Sequence, residues 1–507
     1  MNFKFASIIF SSFVFSFFVL SSAVWALSKP TPKIFVVQHS GSMQAPAAVH
    51  VAALPNVSSM ANSCPKVNGK DVESLELADF DKMSSSQRSG IYACIRNRDR
   101  AFDRMVSQNY LGGGMAVLTT FEWDFGDAST TYNRVKGFNA AHIYDRAGTY
   151  TVTLKVTNEA GLSATTSMQV TIAADQRPVF YMDAASGNDS NDGKSANTAW
   201  KTLSKLNATS CGNRVVLFKR GQIFATNESI RLPICTNVRY SAYGSGAAPI
   251  IEGRFVSDRI PQMAVQPQGD PSHVVVENLK FSSSEGSRRP FIYEPNGKNL
   301  VFRNLSFGRI NRGFTVFGRS EGVLFENNGA HPRADGSWPA DDFSANYIYI
   351  SGKSVTLYGN RIKQEWDAGE PTIRSCGVGV EKISIIDAKV YSDVKNKHNP
   401  LTLRNGRYMY VGNSMIAIGT FNAGPRCAPG NRPNEHVTNF VVEGNEIVNS
   451  MLQIGEGTMN VGIRNNIFHM RKETDAYPNA RNLALEVKAG GTEIPHSEKI
   501  YIANNTF

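Results

Sequence analysis

Cysteine is scarce in this chain, six among 507 residues, and no two stand at the close spacing that zinc sites use. A structural metal site is therefore not expected. The formal net charge is +10, yet there is no lysine-rich tail and no helix-turn-helix pattern, so no nucleic-acid partner is expected. Beyond residue 26 no segment is apolar enough to span a membrane. The one long apolar run, Phe5 to Trp25, follows Lys4 and ends in Val24-Trp25-Ala26, which predicts a secretory signal over residues 1–26. An uncleaved anchor is the alternative, because the run approaches spanning length. No cysteine sits at that junction, which argues against a lipoprotein anchor. The reading is a protein that is secreted, periplasmic or held at the cell surface, with no stable membrane insertion after cleavage. In that compartment the six cysteines suggest disulfides. Proximity in sequence favours Cys64 with Cys94, Cys211 with Cys235, and Cys376 with Cys427.

What is present is alternation. Hydrophobic residues make up 41% and charged residues 19% of a chain too long for one ordinary core, so at least two domains are expected. From Tyr347 onward, strand–corner–strand–turn units recur: "YIYISGKSVTLYGNRI", "LTLRNGRYMYVGNSM" from Leu401, "MLQIGEGTMNVGIRNNIF" from Met451, and "NLALEVKAGG" closed by "KIYIANNTF". A unit this small buries its apolar face only by stacking on its neighbours. Period-two alternation then directs Ile348, Ile350, Val378, Val380, Leu401, Leu403, Ile416, Ile418, Leu452, Ile454, Leu483 and Leu485 inward. Asn278, Asn304, Asn360, Asn413, Asn445 and Asn466 recur at a turn. A ladder of stacked amides satisfying turn backbone is favoured for them over sugar ligands.

Further upstream, "WDFGD" at Trp123–Asp127 and "HIYDRAGTYTVTL" from His142 resemble the PKD domain, an immunoglobulin-like β-sandwich. Trp123 and Phe125 are expected in its core, with Gly126 and Asp127 at a turn. No Gly-rich or catalytic loop accompanies "DFG", which excludes a kinase reading. Polar text with a helix-like piece, about residues 61–115, reads as an insertion between the early strand "APAAVHVAAL" and Trp123. After a short linker at 173–177, "VFYMDAASGNDSNDGKSANTAWKTLSKLN" resembles the opening segment of right-handed parallel β-helix proteins of the pectate-lyase-like class. The fold expected is thus all-β: a PKD-like β-sandwich with an insertion over 27–174, then a right-handed parallel β-helix over 178–507. Asp183, Asp189 and Asp192 are candidates for calcium, with hydrogen-bonded turns the favoured explanation.

The positive charge and the compartment point to an acidic polysaccharide. Stacked rungs would line outward residues into a groove, read as Tyr349, Glu381, Thr402 with Arg404, Ala417, then Gln453 with Glu456. Basic loops carrying Lys395, Lys397, His398, Arg426 and Arg432 border it. Eliminative cleavage of a uronate polymer needs a cation for the carboxylate (Arg404), a base for the C5 proton (His398, Lys395 or Lys397) and a donor for the leaving oxygen (Tyr349). The phrase "LTLRNG…VGN" is similar to the arginine-bearing rung of the alginate-lyase and chondroitinase-B-like family, which implies a catalytic Arg404. That family's preceding rung carries a lysine in a Lys-Ser context, and here it reads "EKISIIDAKVYSD". A lyase is the first reading; a hydrolase using paired carboxylates such as Glu381 and Glu456, or a non-catalytic binder or adhesin, are the alternatives.

Overall fold

Alternating side chains and asparagine corners produce a chain that is almost entirely β. The computed structural model describes residues 30, 32–36, 43–54, 84, 86–87, 120–157, 161–226, 232–253, 265–267, 269–292, 297–316, 320–329, 348–350, 352–364, 373–375, 381–392, 401–404, 407–410, 414–418, 437–448, 451–455, 458–469, 485–487 and 498–507. The signal segment, nearly all of the expected insertion, and Cys64, Cys94, Cys376 and Cys427 lie outside these. Among the described residues, no helix is long and apolar enough to cross a membrane.

The N-terminal part is two antiparallel sheets. One orders Lys33–Val36, Ala47–Leu54 and Asn139–Tyr144; the other orders Arg134–Lys136, Thr120–Asp124, Gly148–Thr157 and Ser163–Ile172. Between them lie Trp123, Phe125, Tyr144, Val152 and Leu154, all at most 1% exposed. Two of the polar groups carried into this core find backbone acceptors, as burial demands. The Trp123 indole N–H donates to Gly137 O at 2.8 Å, and the Tyr144 hydroxyl donates to Phe125 O at 2.8 Å. Gly126, at φ +70, turns the chain where a Cβ would stand 2.8 Å from Thr151 O.

From Val179 the chain winds as a parallel coil. One 11-stranded sheet, sheet 1, runs from Val179–Met182 to Glu498–Ala503; a second, sheet 2, runs from Ile223–Thr226 to Leu485–Val487. In the later turns a third sheet of four strands, Arg361–Gln364, Lys389–Ser392, Glu446–Val448 and Ile467–His469, sits between them. Each later turn therefore visits sheets 1, 3 and 2 in order. The inward positions Ile350, Ile416, Ile418, Leu452 and Ile454 are buried in one continuous core with Phe281, Phe302 and Phe325, and Leu485 packs against it. The Cys211–Cys235 disulfide is present, tying two early turns together.

Two columns of residues make the corner after sheet 1. Asn278, Asn304, Asn327, Asp387, Asn465 and Asn504 hold the left-handed conformation, with φ between 51° and 59°. That region favours asparagine and aspartate among residues with a side chain. The following position carries the amide ladder: Asn328, Asn360, Asn445 and Asn466, each at most 4% exposed, and then Asn505. Asn360, for example, donates to Phe325 O in the preceding turn at 2.9 Å and accepts from the Asn328 N–H at 3.0 Å. The expected ladder is thus split. Asn278 and Asn304 belong to the left-handed column, one residue before the ladder that Asn360, Asn445 and Asn466 build. Asn413 lies outside the described residues.

Candidate functional site

A coil offers its outer faces to partners, and here the first of them is taken. The outward positions of sheet 1, Val275, Val301, Leu324 and Tyr358, are buried within the core of the sandwich, with Ile386 and Val441 packed against it. Asn139 of the sandwich donates from its side-chain amide to Val355 O and accepts from the Ser384 hydroxyl. Asp145 accepts from Arg303, and Tyr132 donates to Asn327 Oδ1 at 3.1 Å. The sandwich is a wall of the coil rather than a bead on a linker. Even the segment at 173–177 is built in: Arg177 is 5% exposed, pairs with Asp175 at 2.8 Å and donates to Ala45 O. The signal was in the runs "VVVE", "LVFR", "VLFE" and "VTLY", which do not alternate. Strands apolar on both faces are covered on both faces.

Buried under that wall is the most perturbed ionisable cluster among the described residues. Glu277, fully buried, is gripped by Arg239 and by Arg303 Nε at 2.6 Å. Burial would push it up, and the two guanidiniums outweigh burial and hold it low. Glu326, in register with Arg303, is pushed up to about 7 by burial; Arg303 opposes this, and Asp145 and Glu277 add to it. The folded chain thus keeps a proton that an unfolded glutamate releases near 4.5. That contribution is complete below 4.5 and is lost as pH rises through 7. His50, which packs on Gly322 at the same interface, runs the other way. Burial lowers it to about 3, against its hydrogen bond to Asn299, so its contribution is complete above 6.5 and is lost as pH falls toward 3. His142 and His273 are lowered by burial as well and act in the same sense as His50. Replacing Glu326 by Gln should remove only the high-pH loss. Thermal melts from pH 5 to 8 should show the variant gaining on the parent as pH rises, up to about 3 kcal/mol. A constant difference would refute the assignment.

Sheet 2 is the second long face of the coil. Its register places Thr315, Tyr349, Arg374, Ala417, Gln453 and Glu486 at one position on six successive strands, about 4.8 Å apart. These positions alternate with the buried Ile350, Ile416, Ile418, Leu452 and Ile454; Gln453 is half-buried. Tyr, Arg, Ala, Gln and Glu thus occupy one register position on successive strands.

This column differs from the one expected from sequence. Tyr349, Ala417 and Gln453 keep their places, but Glu381 and Arg404 do not join them. Glu381 opens a strand of sheet 1, in register with Lys353 and Thr438. There it ends an alternating series, Lys298, Glu321, Lys353, Glu381, in which opposite charges offset one another. Leu401–Arg404, carrying Thr402, pairs antiparallel with Arg407–Tyr410 and, among the described residues, with no strand of the coil. Pairing Arg404 with Arg407 leaves a two-residue connection, Asn405-Gly406, the dipeptide that type I′ hairpin turns favour. The stretch taken as the repeating unit is therefore a hairpin, and the strands of Glu381, Arg404 and Ala417 belong to three different sheets. Arg374 fills the place given to Arg404, and sequence reasoning passed over it because its strand, Ile373–Ser375, is only three residues long. The hairpin still belongs to the same turn: it leaves after Lys389–Ser392 and returns three residues before Ser414, the strand of Ala417. Lys395, Lys397, His398, Arg426, Arg432 and Glu456 lie outside the described residues.

The opening-segment aspartates are engaged within the chain. Asp183 accepts from the Ser186 N–H, Gln222 and Lys219, the last at 2.7 Å. Burial would raise its carboxyl, and these partners hold it down to about 2. Asp189 accepts from the Lys201 and Thr202 N–H groups, and Asp192 from the Lys194 N–H and the Thr198 hydroxyl. The bonds to Ser186 and Lys194 close local turns, as expected, whereas those to Lys201, Thr202, Lys219 and Gln222 tie the segment to residues more than ten positions away; among the described residues no group of His, Cys, Asp and Glu is arranged to hold a metal.

With this geometry in hand, known proteins can be set beside the chain. Residues 106–172 match the family model described as the PKD domain. The match begins inside the segment read as an insertion and leaves out the strands Lys33–Val36 and Ala47–Leu54 that complete the sandwich. Among solved structures, the chain is similar to a GH136 lacto-N-biosidase from Eubacterium ramulus at 12% identity and a TM-score of 0.31, covering 65% of this chain and 68% of that one. It is also similar to a rhamnogalacturonan lyase at 12% identity and a TM-score of 0.32, covering 61% of this chain and 86% of that one. Likeness at this level carries no chemistry, which has to come from the residues.

Proposed function

We propose that this is an exported protein that acts on an acidic polysaccharide lying along sheet 2, and that it cleaves the chain by β-elimination. The observation that carries the reading is the register of Tyr349 beside Arg374, at positions of sheet 2 that alternate with buried core residues. Arg374 neutralises a uronate carboxylate, which acidifies the C5 proton. A base takes that proton, the C4–O bond breaks as the C4–C5 double bond forms, and Tyr349 protonates the departing oxygen. The base comes from Lys395, Lys397 or His398, in the segment that leads into the hairpin. The net charge of +10 supports capture of a polyanion.

The test is incubation of the purified chain with alginate, pectate and glycosaminoglycans. Ultraviolet absorbance rising together with new reducing ends is expected. Reducing ends alone would mean hydrolysis, and retention of polymer without either would mean a binding protein.

A further inference from the structure

The charges in the seam between sandwich and coil do not balance at every pH. Glu277 is held by Arg239 and Arg303, and Asp145, in the turn between Asn139–Tyr144 and Gly148–Thr157, accepts from both terminal nitrogens of Arg303. Two carboxylates and two guanidiniums are neutral together. Glu326 is the group left over. It is 9% exposed, lies in register between Arg303 and Tyr358, and its carboxyl takes part in no hydrogen bond or ion pair among the described residues. The two phenols that face it, Tyr132 from Thr131–Asn133 and Tyr358, bring no charge, because burial pushes both up. The seam is therefore neutral only while Glu326 keeps its proton, and ionising it leaves one uncompensated charge out of water, which is costly. Asp145 is the member free to yield, its side chain 46% exposed against 0% for Glu277. An ionised Glu326 repels Asp145 and competes with it for Arg303, so both forces act in the same direction. We propose that Glu326 is the proton-operated catch of a clasp: protonated, it leaves Arg303 to hold the Asp145 turn of the sandwich against the coil, and ionised, it draws Arg303 away and frees that turn. The carboxyl is pushed up to about 7, so the clasp is closed in mild acid and opens as pH rises through neutrality. This rests on the packing of the seam and is independent of the polysaccharide reading.

The experiment is hydrogen–deuterium exchange of the full chain at pH 5.5 and pH 8, corrected for the pH dependence of intrinsic exchange, in the parent, Glu326→Gln and Asp145→Asn. In the parent, protection of the amides of Tyr144 and Gly148, which flank the turn, should fall by about tenfold between the two conditions, the equivalent of one pH unit of linkage. Glu326→Gln cannot ionise and should keep the turn closed at both. Asp145→Asn should leave it open at both. Amides of residues 152–156, deeper in the sandwich, should hold their protection throughout, which separates a local clasp from loosening of the whole fold. Coupling between the two carboxyls is reciprocal, so thermal melts across pH should place the high-pH loss of stability at higher pH in the parent than in Glu326→Asp with Asp145 kept, and at lower pH in Asp145→Asn, where Arg303 is free to hold an ionised Glu326. Equal protection of the turn at both pH values, a fall that Glu326→Gln retains, a fall shared by residues 152–156, or a high-pH loss that Asp145→Asn leaves unmoved would overturn the inference.

Discussion

Arg374→Ala should lower kcat/KM on the cleaved polymer by about a hundredfold, whereas Arg404→Ala should lower it less than tenfold. The first figure is what loss of one charge-stabilising donor costs when charge develops in the transition state. The ordering follows from placement. Arg374 sits on a strand paired between those of Tyr349 and Ala417, so the coil sets its backbone one strand spacing from that of Tyr349. Arg404 sits on a two-stranded ribbon that pairs with no other strand among the described residues, where approach to the same sugar costs ordering entropy. Initial rates of unsaturated product for both variants, with circular dichroism to show the coil intact, decide between them. A larger loss for Arg404→Ala would move the site onto the hairpin and discard the sheet 2 column.

Asn466→Ala should destabilise the coil by about 2–5 kcal/mol, and Ala388→Asn should stabilise it by about 1 kcal/mol. Asn466 is fully buried and works in both directions. Its carbonyl accepts from the Asn445 backbone N–H at 3.0 Å, and its amide donates to Val442 O at 2.9 Å. Alanine leaves both of those backbone groups buried without a partner, at about 1–3 kcal/mol each. Between Asn360 and Asn445 the ladder has a natural gap at Ala388, whose own N–H is accepted by Asn445 at 2.8 Å. Each ladder amide donates to the carbonyl three residues before the ladder position of the preceding turn: Phe325, Ile385, Val442 and Ile463. An asparagine at 388 would reach Leu357 O by the same rule. Thermal and urea unfolding of the two variants against the parent would check both signs. A destabilised Ala388→Asn would show that the gap is required by packing.

Much of the architecture was readable residue by residue. Alternation marked Ile350, Ile416, Ile418, Leu452 and Ile454 as interior, and they are. "WDFGD" and "HIY" marked a sandwich with Trp123 and Phe125 in its core, and they are there, joined by Tyr144. The recurring asparagines marked corners, though not that they split into a left-handed column and a buried ladder one residue later. The Asn-Gly dipeptide at 405–406 was equally visible, and its hairpin meaning was overridden by an alternating pattern that a rung and a ribbon share.

The sequence by itself determined which residues face inward and where the chain turns, because strand periodicity and left-handed asparagine conformations are set by a few neighbouring residues. Tertiary structure decided which strand lies beside which. Arg374 reaches Ala417 only after the chain has made another visit to sheet 1 and an excursion through the hairpin. It also decided which face the sandwich covers, because its apolar surface is spent on Val301, Leu324 and Tyr358, a match between two surfaces distant in the chain that no local pattern encodes.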